Sequence, residues 1–149
     1  MSALVFVDTS VLLRSADGSE RAAQQAARAW LTACWQQRTG RISSQVLNEL
    51  YHQASTRFAG ARVLQQARAQ VRRLRVWLPP HLDAYTVDGA WGLQDRYGLG
   101  YWDALIVSSA HQQGCRYLLT ETLAHGQQFD AVRVVDPRAI APHALEADE

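Results

Sequence analysis

The sequence predicts an α/β fold, with a short parallel sheet of about four to five strands and helices on both faces. Two observations predict it. Short apolar runs alternate with longer segments of helical periodicity, and the first run, Leu4–Val7, is apolar throughout, as in a strand buried on both faces. At 149 residues and 48% hydrophobic residues, the chain is expected to form one domain, 1–149, with a core at about 3–138. The tail at about 143–149 is expected to be frayed.

In the first half of the chain, polar caps and glycines separate the predicted elements. Asp8 follows the first strand and can cap the next helix, while alanine, tryptophan and cysteine residues recur at helical spacing over 20–37. Gly40 ends that helix, and Ile42 marks a very short strand. The remaining elements here are a helix capped by Ser43-Ser44, with Phe58 on its apolar side, a break at Gly60 and an arginine-rich helix over 61–73.

In the second half, turn residues again set the limits. The apolar run Val76-Trp77-Leu78 predicts a third strand, and 83–97 predicts a helix that Gly89 and Gly92 weaken. The Gly98-Leu99-Gly100 loop leads to a helix at 102–113 that is apolar nearly all round and therefore buried. The last predicted elements are strands at 117–119 and 132–135, and Pro137 ends the fold.

Composition excludes several classes of protein. All 15 basic residues are arginine, so activities that need a lysine are excluded, among them P-loop phosphate binding, receiver domains and haloacid-dehalogenase-type phosphatases. The first strand is not followed by the glycine-rich turn of a dinucleotide-binding module. The two cysteines form no CxxC pair, which favours a reducing compartment. With no leader and no membrane-spanning segment in view, we expect a soluble cytoplasmic protein.

Acidic residues mark four candidate positions. Asp8 ends the first strand, and the carboxyl ends of strands are where open α/β sheets bind ligands, although a plain helix cap explains it equally well. Asp103 opens the buried helix, where the positive end of the helix dipole favours a carboxylate. Glu49 lies off the centre of its apolar stripe, so periodicity leaves both a solvent-exposed glutamate and a site residue open. Glu121 is the acid of another loop that follows a strand.

Several runs of the sequence closely resemble the PIN-domain family. The longer ones are Asp8–Leu13, Val46–Tyr51 and Tyr97–Val107, and shorter ones are Gly114-Cys115, Leu118–Glu121 and His125–Gln127. The resemblance extends from about Leu4 to Pro137. Order, spacing and length look most like the small VapC-type toxins of prokaryotic toxin–antitoxin pairs.

The resemblance implies a metal-dependent endoribonuclease. In such an enzyme, Asp8, Glu49 and Asp103 would bind Mg²⁺ or Mn²⁺, which prefer oxygen ligands. Ser10 would steady Asp8 or a phosphate oxygen. The resemblance also implies an RNA substrate, an antitoxin that neutralises the protein, and a homodimer. Basic side chains late in the fourth helix are candidates for RNA contact, unless they are only a solvated helix end; they are Arg72, Arg73 and Arg75.

The sequence departs from the family at Thr122. The family loop normally reads Thr/Ser-Glu-Asp-Leu, and here it reads Thr120-Glu121-Thr122-Leu123, so the fourth acid is replaced by a hydroxyl. Glu121 is a possible substitute, although neighbouring side chains on such a loop usually point in different directions. The alternative function is therefore a PIN scaffold with weakened catalysis, which binds RNA or a protein partner without cleavage.

Overall fold

The computed structural model describes residues 2–57 and 60–146, and within them it has five strands and seven α-helices. The strands are β1 (Val5–Val7), β2 (Gly40–Arg41), β3 (Tyr117–Leu119), β4 (Gln128–Phe129) and β5 (Val132–Val135). The helices are α1 (Thr9–Ala16), α2 (Arg21–Gln37), α3 (Ser44–Arg57), α4 (Ala61–Leu74), α5 (Ala84–Tyr97), α6 (Tyr101–Gln112) and α7 (His143–Glu146).

The strands form one sheet in the order β2-β1-β3-β5-β4, in which only the short β4 runs antiparallel to its neighbour. Successive side chains of a strand point to opposite faces, and Phe6 and Val7 of β1 are both fully buried, as are Leu118 and Leu119 of β3. Both faces of the central strands are therefore covered. The predicted α/β class with a short, mainly parallel sheet is confirmed.

The strand order reverses beside β1. From β1 the chain passes to β2 on one side, and from β2 it crosses to β3 on the other. Backbone pairing continues past the strand ends, since the N–H of Asp8 donates to the carbonyl of Leu119 at 3.0 Å and that of Thr120 to Val135 at 3.1 Å. Asp8 and Thr120 therefore lie side by side at the carboxyl edge of the sheet, where ligands of such folds bind.

Helix α5 forms although it contains two glycines. Asp83 caps it in a reciprocal capping box with Thr86, which stabilises the first turn. A Cβ on Gly89 would lie 2.5 Å from Oγ of Ser108 in α6, so glycine permits the close approach of these two helices. Helix α6 is buried from Ala104 to Ala110, as its apolar sequence predicts.

The prediction of a strand at Val76–Leu78 is wrong. Residues Arg75–Trp77 form a 3₁₀ turn, and Leu78 follows in the left-handed region with a φ of 50°. Val76 and Leu78 are largely exposed, whereas the ring of Trp77 lies against Gly40, where a Cβ would come within 2.4 Å of it. A short apolar run does not show which part of the fold its side chains pack against. Here the ring of Trp77 covers the edge strand β2.

The folded part of the chain continues beyond Pro137, where the sequence predicted its end. Strand β4 pairs with β5 through a turn at Asp130, and its two residues are too few to give an alternating pattern. After Pro137, Trp30 Nε1 donates to the carbonyl of Ile140 at 2.9 Å, and Leu145 of α7 is buried. Residues 147–149 of the tail, and Phe58, lie outside the described residues. None of the described helices is long and apolar enough to cross a lipid bilayer.

Candidate active site

Asp8 both caps α1 and ends β1. Its Oδ1 accepts the N–H of Thr9 at 2.8 Å, and its Oδ2 accepts the hydroxyl of Thr120 at 2.7 Å. Ser10 Oγ is 3.4 Å from the same Oδ2. The side chain is almost completely buried. The sequence left open whether Asp8 is a helix cap or a site residue, and these two roles are compatible, because the carboxylate that caps α1 also lies at the carboxyl edge of the sheet.

The pKa of Asp8 is raised to about 6. Burial is the largest cause, because it penalises the charged form. Hydrogen bonds from Thr120 and Thr9 act in the opposite direction, and the negative charges of Glu49 and Asp103 raise the pKa further. The three acids therefore act on one another electrostatically although they come from three separate elements.

Glu49 is half-buried on α3 and held by two neutral donors. Thr9 Oγ1 donates to its Oε2 at 2.8 Å, and Gln45 Nε2 donates to its Oε1 at 2.9 Å. The same amide of Gln45 lies 3.3 Å from the carbonyl of Trp102, at the start of α6. Gln45 thus links the helix that carries Glu49 to the helix that carries Asp103.

Asp103 lies in the first turn of α6 and is half-buried. Its pKa is raised, first by burial and then by the charge of Glu49. Trp102 beside it is exposed, with its ring 5.4 Å from that of Tyr101. The carboxylate is therefore flanked by an accessible aromatic pair at the amino end of the helix.

Within residues 2–57 and 60–146, no group of three or more aspartate, glutamate, histidine or cysteine side chains is close enough together to hold a metal ion. The donor chemistry nevertheless fits a hard divalent cation, because Asp8, Glu49 and Asp103 offer carboxylate oxygens, with hydroxyl oxygens beside them. Mg²⁺ typically keeps several waters and uses only one or two carboxylates. An open group of mutually repelling acids suits such an ion.

The loop after β3 divides its side chains between two environments. Thr120 is fully buried against Asp8, and Thr122 Oγ1 lies 3.1 Å from Thr120 Oγ1. Glu121 turns to α1, where Nε of Arg14 donates to its two oxygens at 2.9 and 3.2 Å. The side chain of Thr122 thus lies next to the Asp8 cluster, which consists of Asp8, Ser10 and Thr120, whereas Glu121 is bound by the guanidinium of Arg14.

Ser10 joins this loop to the acids. Its hydroxyl accepts the N–H of Glu121 at 3.1 Å and lies 3.4 Å from Thr120 Oγ1. Because it also approaches Asp8, Ser10 fixes the loop relative to the start of α1. The structure thus places this candidate residue beside Asp8.

Sequence reasoning missed three residues that hold the acids. Thr120 directly follows β3, and Thr9 comes after Asp8 at the end of β1, and these positions were the available signal. Gln45 lies one helical turn before Glu49, a spacing at which side chains meet. Two buried polar atoms in this region, Gln45 Oε1 and Ser43 Oγ, have no hydrogen-bond partner among the described residues.

The basic residues at the end of α4 lie away from the site around Asp8. The guanidinium of Arg73 stacks over the ring of Trp35 at 4.7 Å, and Trp35 in turn contacts Trp77 at the edge of β2. Arg72 and Arg75 are exposed. Their contact with RNA stays a prediction.

A family model described as PIN domain matches residues 5–145. No curated protein matches the sequence. Among solved structures, the chain is similar to VapC20 of Mycobacterium tuberculosis, described as a sarcin-ricin loop cleaving toxin, at 22% identity over 76% of this chain and 86% of that one, with a TM-score of 0.58. A toxin–antitoxin complex from Klebsiella pneumoniae matches at 20% identity, 89% and 97% coverage and a TM-score of 0.61. FitAB bound to an IR36 DNA fragment matches at 15% identity, 94% and 99% coverage and a TM-score of 0.72.

Proposed function

The chain belongs to the PIN-domain family, and from this premise we propose that it is a divalent-metal-dependent endoribonuclease of the toxin–antitoxin type. In this proposal it hydrolyses RNA phosphodiester bonds with Mg²⁺ or Mn²⁺. Similarity in fold to a toxin described as cleaving the sarcin-ricin loop supports the choice of reaction.

The observation that carries the proposal is the electrostatic coupling of three acids at the carboxyl edge of the sheet. Glu49 and Asp103 both raise the pKa of Asp8, and Glu49 raises that of Asp103. Keeping like charges together in a partly buried site costs free energy, which a bound cation would offset. A carboxylate whose pKa is raised by burial and by neighbouring acids is typical of a functional site.

Each residue of the site has a proposed role. Asp8 and Asp103 would hold the cation, and Glu49 would hold it or orient its water. Thr9 and Thr120 donate hydrogen bonds that keep the carboxylates of Glu49 and Asp8 oriented. When bound, the divalent cation neutralises charge on the phosphodiester and lowers the pKa of a water molecule.

The test is cleavage of RNA by the purified protein, freed of any antitoxin, with and without Mg²⁺ or Mn²⁺. We expect cleavage only with the metal, and we expect Asp8→Asn and Asp103→Asn to abolish it. Asp95→Asn is the matched control, because Asp95 is an exposed aspartate of α5. Cleavage that persists in EDTA, or in both site variants, would place the activity outside this cluster.

The second candidate is a scaffold that binds RNA or a protein without cleaving RNA. Thr122, in place of the usual acid, favours it, because a hydroxyl cannot supply negative charge. Binding of RNA by a protein that shows no metal-dependent cleavage would support this candidate. Restoration of cleavage by Thr122→Asp would assign the loss to that residue.

The proposed partners are an antitoxin and a second copy of this chain. Fold similarity to toxin–antitoxin complexes supports the antitoxin, which co-expression with the adjacent gene product would test. Large aromatic side chains that remain exposed support the homodimer, since interfaces favour them; they are Tyr85, Trp91 and Trp102. A cytoplasmic location stays a prediction.

A further inference from the structure

A second groove, lined by arginines, adjoins the acidic site. Arg14 comes from α1, Arg57 is the last residue of α3, and Arg138 follows β5, so three separate elements bring guanidinium groups to one concave surface. Ser10 and Thr122 line the same groove. Ser10 Oγ is 3.4 Å from Asp8 Oδ2, so this arginine groove opens directly beside the proposed catalytic acids.

Two arginines of the groove, Arg14 and Arg138, are held in place by acids of the protein. Arg14 Nε bonds Glu121, and Arg138 pairs with Asp136 through Nε at 3.0 Å and a terminal nitrogen at 2.7 Å. A guanidinium has five N–H donors, so each retains donors that these contacts do not use. Fixed guanidinium groups bind phosphate oxygens with little further loss of side-chain entropy.

An acidic site that acts on a polyanion needs positive charge nearby. Asp8, Glu49 and Asp103 repel a phosphodiester, and in the absence of attractive contacts the backbone would be held away from them. We propose that the arginine groove is a phosphate subsite that binds the RNA backbone on one side of the bond to be cleaved, with Arg14, Arg57 and Arg138 as its contacts. This subsite rests on the proposed ribonuclease function.

The lining of the groove favours RNA backbone over a protein segment. Besides the arginines it presents Ser10, Gln53 and Thr122 and the acids Asp17 and Glu121, which pair with Arg14, and Leu13 is the one apolar side chain among its described lining residues. Protein interfaces are centred on buried apolar or aromatic anchors. Phosphate contacts instead come mainly from arginine, lysine, hydroxyl and amide groups.

Binding of a short single-stranded RNA of mixed sequence, labelled with a fluorophore and measured by anisotropy in EDTA, tests the subsite without requiring cleavage. We expect Arg57→Gln and Arg138→Gln each to weaken binding several-fold. Each should also lower the slope of log affinity against log salt by about 0.7, the value for one lost phosphate contact to a single strand. Arg133→Gln removes an exposed arginine of β5 outside the groove and should change neither quantity.

Unchanged affinity and slope in both groove variants would overturn the proposal, as would an equal loss in Arg133→Gln. If the variants bind RNA as the parent does but escape inhibition by the co-expressed antitoxin, the groove binds protein and the proposal is also overturned. The binding pattern in EDTA is independent of cleavage. A parent that binds RNA through the groove but never cleaves it would therefore disprove the proposed reaction and leave the subsite intact.

Discussion

Replacing Asp8 with asparagine removes the charge of this side chain and preserves its role as a helix cap. Asparagine caps helices as well as aspartate does, so its Oδ1 can still accept the N–H of Thr9. Its amide can donate to Thr120 Oγ1, whose hydroxyl can turn to Thr122 Oγ1, 3.1 Å away. The variant therefore isolates the free energy of holding a buried negative charge beside Glu49 and Asp103.

The magnitude follows from the pKa of Asp8, which rises from 3.8 to about 6 on folding. A raised carboxyl pKa means that the folded state binds the proton more tightly. The protonated form therefore contributes stability that is full below about pH 4 and is lost as the pH rises through about 6. A difference of about two units corresponds to about 3 kcal/mol. At neutral pH without metal, Asp8→Asn should raise the free energy of unfolding by up to that amount, or Tm by roughly 5–10 °C.

Urea unfolding in EDTA at a series of pH values measures this gain, with Asp95→Asn as the control of equal charge change. The gain should vanish well below pH 3.8, at about pH 3, where Asp8 is protonated in both states. Adding Mg²⁺ or Mn²⁺ should stabilise the parent but not the variant, because a ligand that binds only the native state raises its stability. A variant that is less stable than the parent at neutral pH, or a gain that does not depend on pH, would refute the reasoning.

Further predictions concern the loop after β3, the packing of Gly40 and the oligomeric state. Thr122→Asp should increase metal affinity and RNA cleavage at limiting metal, because position 122 adjoins the Asp8 cluster; Glu121→Gln should leave metal affinity unchanged, because Glu121 is paired with Arg14. Isothermal titration with Mn²⁺ measures both, and a loss of affinity in Glu121→Gln would make Glu121 a ligand. Gly40→Ala should destabilise the fold by about 1–3 kcal/mol in urea unfolding, since its Cβ would overlap the ring of Trp77, and Trp77→Leu should relieve part of this cost. Light scattering at micromolar concentration should give the mass of a dimer, and a monomer mass would contradict the proposed homodimer.

Local patterns predicted most of the secondary structure because the elements carry their own signals. The helix predicted at 83–97 and the one predicted from the apolar run of α6 are both present in the structure. The run Val76–Leu78 misled because strand and turn share the same three-residue apolar pattern, and only the ring of Trp77 against Gly40 distinguishes them. Strand β4 has two residues and is defined by its pairing with β5, which no local pattern encodes.

The sequence by itself determined the α/β class and named Asp8 and Asp103, because Asp8 follows and Asp103 opens an element that periodicity identifies. Glu49 lies within a helix, and only the resemblance to the PIN-domain family named it. Only the tertiary structure decided how these acids are held. Thr120 reaches Asp8 because β1 and β3 are neighbours, although 112 positions separate the two residues. The same pairing brings Glu121 to Arg14 and leaves position 122 facing the cluster. Charge and hydrogen-bond partners depend on distances across the sheet, and strand order sets those distances after the local elements have formed.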